Sequence, residues 1–277
     1  MNSREAFEQG AARGGALVAN RAVHANGARP LPQGLLIAEG DSWFDYPGGD
    51  ILSALEDLGF EVEGDAHWGD TLEDMSFNPR QLGDFYRTIS KVKARGVVPR
   101  ALLLSGGGND LAGDEFAMIL DHASSGLPTI NPTVLAGLID VRLRVSLAHW
   151  IGSVDAVAQR VFRQPIRIVL HGYDYPVPDG RGFTIGPMRV KGPWLRPAFW
   201  LKGHSNLQRN RSFMRDLIDR LNEMQISLMA ELNLPNLVHA DLRNTLSSVL
   251  YENDWDNELH PTEAGFRALA RKIAARA

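Results

Sequence analysis

The chain of 277 residues contains no cysteine. Disulfides, zinc–thiolate sites, iron–sulfur clusters and thiol nucleophiles are therefore excluded as sources of stability or chemistry. Charge of one sign is also lacking: 29 Lys and Arg stand against 33 Asp and Glu, a formal net charge of −4. That balance argues against broad, non-specific attraction to nucleic acid. Long apolar runs are missing too, and none approaches the ~20 residues that span a bilayer. In residues 1–29 the apolar windows are interrupted by Arg4, Glu5, Glu8, Arg13 and Arg21. The uninterrupted core of a secretory signal is thus absent, and the expected location is cytoplasmic. No histidine pair has a metal-ligand spacing such as H-E-x-x-H, so no metal and no other cofactor is expected.

What is present is an alternation. Short apolar runs at Leu35–Glu39, Phe60–Glu63, Ala101–Ser105, Ile166–Leu170 and Leu237–Ala240 read as strands. Helical stretches lie between them at Asp50–Leu58, Pro79–Ala94, Pro132–Phe162 and Leu207–Leu232, and a last one runs from Thr262 to the end. This is the pattern of a parallel sheet flanked by helices. Asn78-Pro79 and Asn131-Pro132 each put asparagine at an N-cap and proline in the first helical turn. The stretch 132–162 is long for one helix, so Gly137 or Gly152 is expected to break it. Residues 1–33 read as an N-terminal helical extension with a loop ending at Arg29–Pro32. Residues 34–277 read as a single α/β domain carrying an inserted loop at 173–203, rich in Pro and aromatics. A loop of that length in a compact domain is commonly a lid or binding loop.

Ligands of open α/β sheets bind beyond the carboxyl ends of the strands. Those ends deliver Gly40-Asp41-Ser42-Trp43, His67-Trp68-Gly69-Asp70, Gly106-Gly107-Gly108-Asn109-Asp110, His171-Gly172-Tyr173-Asp174 and, late in the chain, Asp254 to Pro261. Ser42 lies on a strand-to-helix connection, where a hydroxyl can act as nucleophile if a base is within reach. His260 is brought to the same edge and can be that base. Gly69 and Asn109 can supply a backbone N–H and a side-chain amide to an oxyanion. Trp43, Trp68 and His171 are weaker candidates for contact with substrate. Two other motifs fail. The glycine run at 106–108 is not followed by Gly-Lys-Ser/Thr, and Gly203-His204-Ser205-Asn206-Leu207 lacks the final glycine of a G-x-S-x-G elbow. Ser205 reads better as an N-cap.

Gly40-Asp41-Ser42, Gly69, Gly106-x-Gly108-Asn109-Asp110 and His260-Pro261 together resemble the four motif blocks of the SGNH/GDSL hydrolase family, in that family's order. The resemblance implies a three-layer α/β/α fold with a flavodoxin-like parallel sheet of order 2-1-3-4-5. It also implies ester hydrolysis through an acyl-serine on Ser42, with His260 as base and the N–H groups of Ser42 and Gly69 plus the Asn109 side chain as oxyanion donors. The expected substrate is a small-molecule, carbohydrate or lipid acyl ester, with no nucleic acid and no membrane span. One departure stands out. Three residues before the histidine, where the family has its acid, this chain has Asn257; Asp256 or Asp254 is the alternative acid if the loop is shifted. Acyl transfer at the same site, or a catalytically weakened binding protein, are the alternatives that follow.

Overall fold

A computed structural model describes residues 1–19, 33–185 and 188–277. The expected loop through Arg29–Pro32 lies outside the described residues. In chain order the elements are α1 (Ser3–Ala19), β1 (Leu35–Gly40), α2 (Ile51–Asp57), β2 (Glu61–Ala66), α3 (Leu72–Phe77), α4 (Pro79–Ala94), β3 (Ala101–Ser105), α5 (Pro132–Ala136), α6 (Arg144–Phe162), β4 (Arg167–His171), β5 (Phe183–Ile185), β6 (Met188–Lys191), α7 (Arg196–Leu201), α8 (Leu207–Leu232), β7 (Leu237–Ala240), α9 (Tyr251–Asp254) and α10 (Glu263–Ala274). Five strands form one parallel sheet in the order β2-β1-β3-β4-β7, which is the expected 2-1-3-4-5 counted within the sheet.

The sheet's central strands are continuous apolar runs because both faces are covered: every residue of β1 and β3 is buried. From β1 the chain steps one way to β2, then reverses across β1 to β3, β4 and β7. Right-handed crossovers consequently place α2 on the face opposite α4, α6 and α8. The packing agrees, with α2 against α10 and α4 and α8 each against α6. The reversal lies between β1 and β3, so the loops carrying Ser42 and Asn109 flank the switch point. There the two strands come unusually close. A Cβ on Gly40 would stand 2.6 Å from Ser105 Cβ, so only glycine fits beside its register partner.

Of the two breaks offered for the long stretch, one is present. The stretch 132–162 is interrupted from Gly137, where a π-helical segment, Gly137–Leu143, separates α5 from α6. Gly152 breaks nothing: it sits inside α6, where a Cβ would meet Phe7 O at 2.2 Å. It is small so that α1 can lie against α6, and Gly10 answers it from α1, a Cβ there falling 1.9 Å from His149 O. The N-terminal helix is thus seated on the domain, with Ser153 Oγ donating to Gly10 O at 3.0 Å. One expectation changes, at α8, whose N-cap is Asn206 rather than Ser205; its Oδ1 accepts from Arg209 N. Asn78 and Asn131 cap α4 and α5 as the Asn-Pro signature predicts.

Candidate active site

Ser42 sits in the turn that leaves β1, buried except for 8% of its surface. The turn is shaped by its neighbour. Asp41 accepts from Trp43 N at 3.1 Å and from Ser105 Oγ at 2.8 Å, and its second oxygen accepts from the Tyr173 hydroxyl. One carboxylate therefore ties the ends of β1, β3 and β4 together. Burial, followed by the charge of Asp41, holds the Tyr173 phenol well above its ordinary pKa, so it remains a donor.

The histidine arrives on a closed loop, with Trp255 and Pro261 bridged and Asp256 N donating to His260 O at 2.9 Å. Within it, Asn257 Oδ1 accepts from Leu259 N and His260 N, each at 3.0 Å. Backbone N–H groups can only donate, so the oxygen end of the amide must face them. The same oxygen lies 3.0 Å from His260 Nδ1, which must therefore carry the proton. That leaves Nε2 as a bare acceptor, and it stands 2.8 Å from Ser42 Oγ. The tautomer required of a general base therefore depends on which end of the Asn257 amide faces the ring. Tyr46 stacks on the ring at 4.2 Å between centroids and 12° between planes, and Trp194 meets it edge-on. Burial, and then the charge of Lys191, pushes the pKa of His260 down to about 3.

Of the two acids offered as alternatives, neither touches the imidazole. Asp254 accepts from Ser247 N at 2.6 Å. Asp256 Oδ2 accepts instead from the Tyr46 hydroxyl at 2.7 Å and from Asn257 Nδ2 at 3.2 Å. The loop is not shifted; the residue three before the histidine is the one on its ring.

Gly69 lies on the loop after β2 with φ +94°, a left-handed conformation that favours glycine. The loop is moored to the end of β3: Asn109 Nδ2 donates to Asp70 O at 2.8 Å, and Leu72 N donates to Asp110 Oδ2 at 2.9 Å. Burial raises Asp110 to about 6. Asn109 keeps a second amide hydrogen, and with Ser42 it lines a cavity of about 40 Å³ walled by Trp43, Tyr173, Met214 and Trp255. Trp43 is thus a wall residue, its Nε1 fixed on Leu259 O. Trp68 is half exposed, beneath the Lys191 ammonium at 4.4 Å from its ring centroid. His171 stacks behind Trp43, fully buried, with Nδ1 on Gly172 O; it is not part of the cavity wall. Among the described residues, no group of three or more His, Asp or Glu is placed to hold a metal ion.

The segment 173–203 folds into the antiparallel pair β5–β6 and the short α7. It is tied to the histidine loop by Glu258, which sequence reasoning passed over. That buried carboxylate accepts four backbone N–H groups: Gly180 and Arg196 on Oε1 at 2.9 and 3.0 Å, Trp194 and Leu195 on Oε2 at 2.6 and 2.7 Å. Arg181 adds a bond from its guanidinium to Trp255 O. Phe199 is wholly buried against Phe116, whereas Trp200 is exposed beneath Arg196. Tyr46 and Asp174 have hydrogen-bonding roles around the site that their places in the sequence do not specify. Asp174 accepts four N–H groups, from Tyr175, Asn244, Thr245 and Leu246.

No family model matches the chain, and no curated protein does. Among solved structures it is similar to an extracellular lipase from Streptomyces rimosus, with a TM-score of 0.50 at 16% identity over 88% of this chain and 100% of that one. Others are a lipase from a goat rumen metagenome (TM-score 0.48, 11% identity, 88% and 97% covered) and a candidate GDSL-like lipase from Parabacteroides merdae (0.45, 13%, 91% and 98%). The class defined by the fold is a three-layer α/β protein with the sheet order of the Rossmann-like flavodoxin group. More narrowly, the five-stranded parallel order is the one that the SGNH/GDSL resemblance implies, and the four stretches that carry that resemblance all lie beyond the carboxyl ends of its strands.

Proposed function

We propose that this protein is a serine hydrolase of carboxylic esters that works without a cofactor. The observation that carries the reading is one unbroken hydrogen-bonded line, Ser42 Oγ to His260 Nε2 at 2.8 Å and His260 Nδ1 to Asn257 Oδ1 at 3.0 Å, at the switch point of the sheet. Ser42 Oγ attacks the acyl carbon while His260 Nε2 takes its proton. The tetrahedral oxyanion is met by the N–H groups of Ser42 and Gly69 and the second amide hydrogen of Asn109. His260 then passes the proton to the departing alcohol. In the second half it deprotonates a water that releases the acid and restores the serine. A cavity of about 40 Å³ beside the serine suits a short acyl chain. The leaving group would extend toward the larger polar cavity of about 640 Å³, which shares Asp174, Pro176 and Trp255 as walls.

Acyl transfer to a second alcohol uses the same steps, and the aromatic flanks of His260, Tyr46 and Trp194, favour it as the second reading because they shield the base from bulk water. The test is exposure of the purified protein to a fluorophosphonate, with intact mass and peptide mapping. One adduct at Ser42, absent from Ser42→Ala, is the expected result. A folded protein that remains unlabelled would overturn the hydrolase reading in favour of a binding protein on the same fold. Product analysis with a competing alcohol separates hydrolysis from transfer.

A further inference from the structure

An asparagine behind a catalytic histidine is ordinarily a poor orienter, and for a definite reason. When an amide replaces the carboxylate in a serine-protease triad, the wrong imidazole tautomer is held and the rate falls ~10⁴-fold. An amide has a donating end and an accepting end, and only the accepting end leaves Nε2 free. In this chain both ends of the Asn257 amide are committed. The oxygen takes the N–H groups of Leu259 and His260 as well as Nδ1. The nitrogen donates to the Tyr46 hydroxyl at 2.8 Å and to Asp256 Oδ2 at 3.2 Å. The triangle closes because the Tyr46 hydroxyl donates in turn to Asp256 Oδ2 at 2.7 Å. The same Tyr46 ring lies flat on the imidazole.

We infer that Asp256 and Tyr46 are positioning residues that make Asn257 serve as the orienter of His260, by fixing its amide nitrogen and by setting a carboxylate one amide away from the ring. This rests on the reading of His260 as the base of Ser42. Asp256 does not replace the missing acid; it acts through the residue that stands in that acid's place. Its carboxylate sits near the surface, so solvent weakens the direct charge, and the chief effect is on the direction and polarity of the amide. In metal sites, the partners that orient a ligating histidine are worth about 10–100-fold in affinity or activity, and the buttress behind Asn257 is of the same kind. The lower end of that range is expected here.

The test is a pair of substitutions made in two backgrounds. In the native background, Asp256→Ala is expected to lower kcat about tenfold with KM unchanged, and Tyr46→Phe, which keeps the stacked ring, to lower it by a smaller factor. In the Asn257→Asp background a carboxylate faces Nδ1 directly and has no wrong end, so Asp256→Ala should cost nothing there. An equal loss in both backgrounds would mark Asp256 as merely structural, and no loss in the native background would also overturn the proposal. Nitrogen-15 NMR of labelled histidine reads the tautomer without turnover. His260 should show a protonated Nδ1 in the native protein and a mixture of tautomers in Asp256→Ala/Tyr46→Phe. An unchanged spectrum in that double variant overturns the proposal. Loss of the Ser42 label in the native protein, with the tautomer shift intact, would instead count against the hydrolase reading alone.

Discussion

At the scale of single residues, His260 combines a favourable and an unfavourable property. Its burial depresses the pKa to about 3, so the ring is neutral, the form a base requires, at any pH above that value. An ordinary imidazole would lose this form below pH 6.5. The expected outcome is a kcat/KM that stays level from pH 8 down to about pH 4, as checked by initial rates on a short-chain activated ester. A limb near pH 6.5 would contradict it. The unfavourable side is that a base of low pKa accepts a proton reluctantly, which puts a premium on stabilising the oxyanion. Asn109→Ala should accordingly cost about 100–1000-fold in kcat. Because Asn109 also moors Asp70 O, a thermal melt must accompany the rates; a variant that melts normally but is catalytically dead supports the donor role. Asn109 is legible in the sequence because it comes soon after a strand, and His260 because it stands before proline in the late block of the resemblance. The roles of Tyr46, Asp256 and Glu258 are not, since they arise from contacts more than 60 residues away or from which end of an amide faces a ring.

The elements show the same division. The strands β3 and β7 begin and end where the apolar runs do, and α4 and α8 match their predicted bounds, because a continuous periodic face carries both helices through and Asn78-Pro79 marks the start of α4. The interruption at Gly137 is one of the two breaks the sequence offers, but its π-helical form is not legible, since a widened helical turn leaves the apolar period nearly intact. Nor does the sequence choose between Gly137 and Gly152: a glycine in a helix reads as a break, whereas Gly152 makes room for a neighbouring backbone. That assignment has a consequence for stability. Gly152→Val must push α1 away from α6 and is expected to destabilise the fold by about 1–3 kcal/mol in chemical denaturation, with the Ser42 label retained. Gly137→Ala, where a Cβ would meet nothing within 4 Å, should be neutral or mildly stabilising.

For the whole molecule, proton linkage follows from which groups the sheet and helices bury. His149 and His239 are each held down to about 4 and His260 to about 3, all chiefly by burial. Their unfolded pKa is near 6.5. A folded-state pKa below the unfolded one means that the unfolded chain binds the proton first. These three histidines therefore stabilise the fold fully above pH 6.5, and that contribution is lost as pH falls from 6.5 toward 3. Asp110, raised to about 6, acts in the opposite sense, since its folded form is protonated earlier than its unfolded form at 3.8. Burial lowers His171 as well, and it raises Asp174 and Glu258 as it does Asp110. Four histidines stand against three carboxylates, so the melting temperature should fall between pH 6.5 and 4, with net proton uptake on unfolding at pH 5. Calorimetry in buffers of different ionisation enthalpy measures that uptake, and net release would contradict the assignment.

Four amides that converge on the single carboxylate of Glu258 have a joint fate. Gly180 lies well before the consecutive Trp194, Leu195 and Arg196 in the segment 173–203, yet all four share one acceptor two residues from His260. Their N–H groups cannot be exposed to solvent one at a time without leaving the others' acceptor in place, so a single opening event governs all four. In hydrogen exchange they should behave as one cooperative unit with one opening free energy. Occupancy of Ser42 by a covalent inhibitor that holds His260 should slow the exchange of all four together. The segment 173–203 is in this sense a reporter, at a distance, of whether His260 is in place.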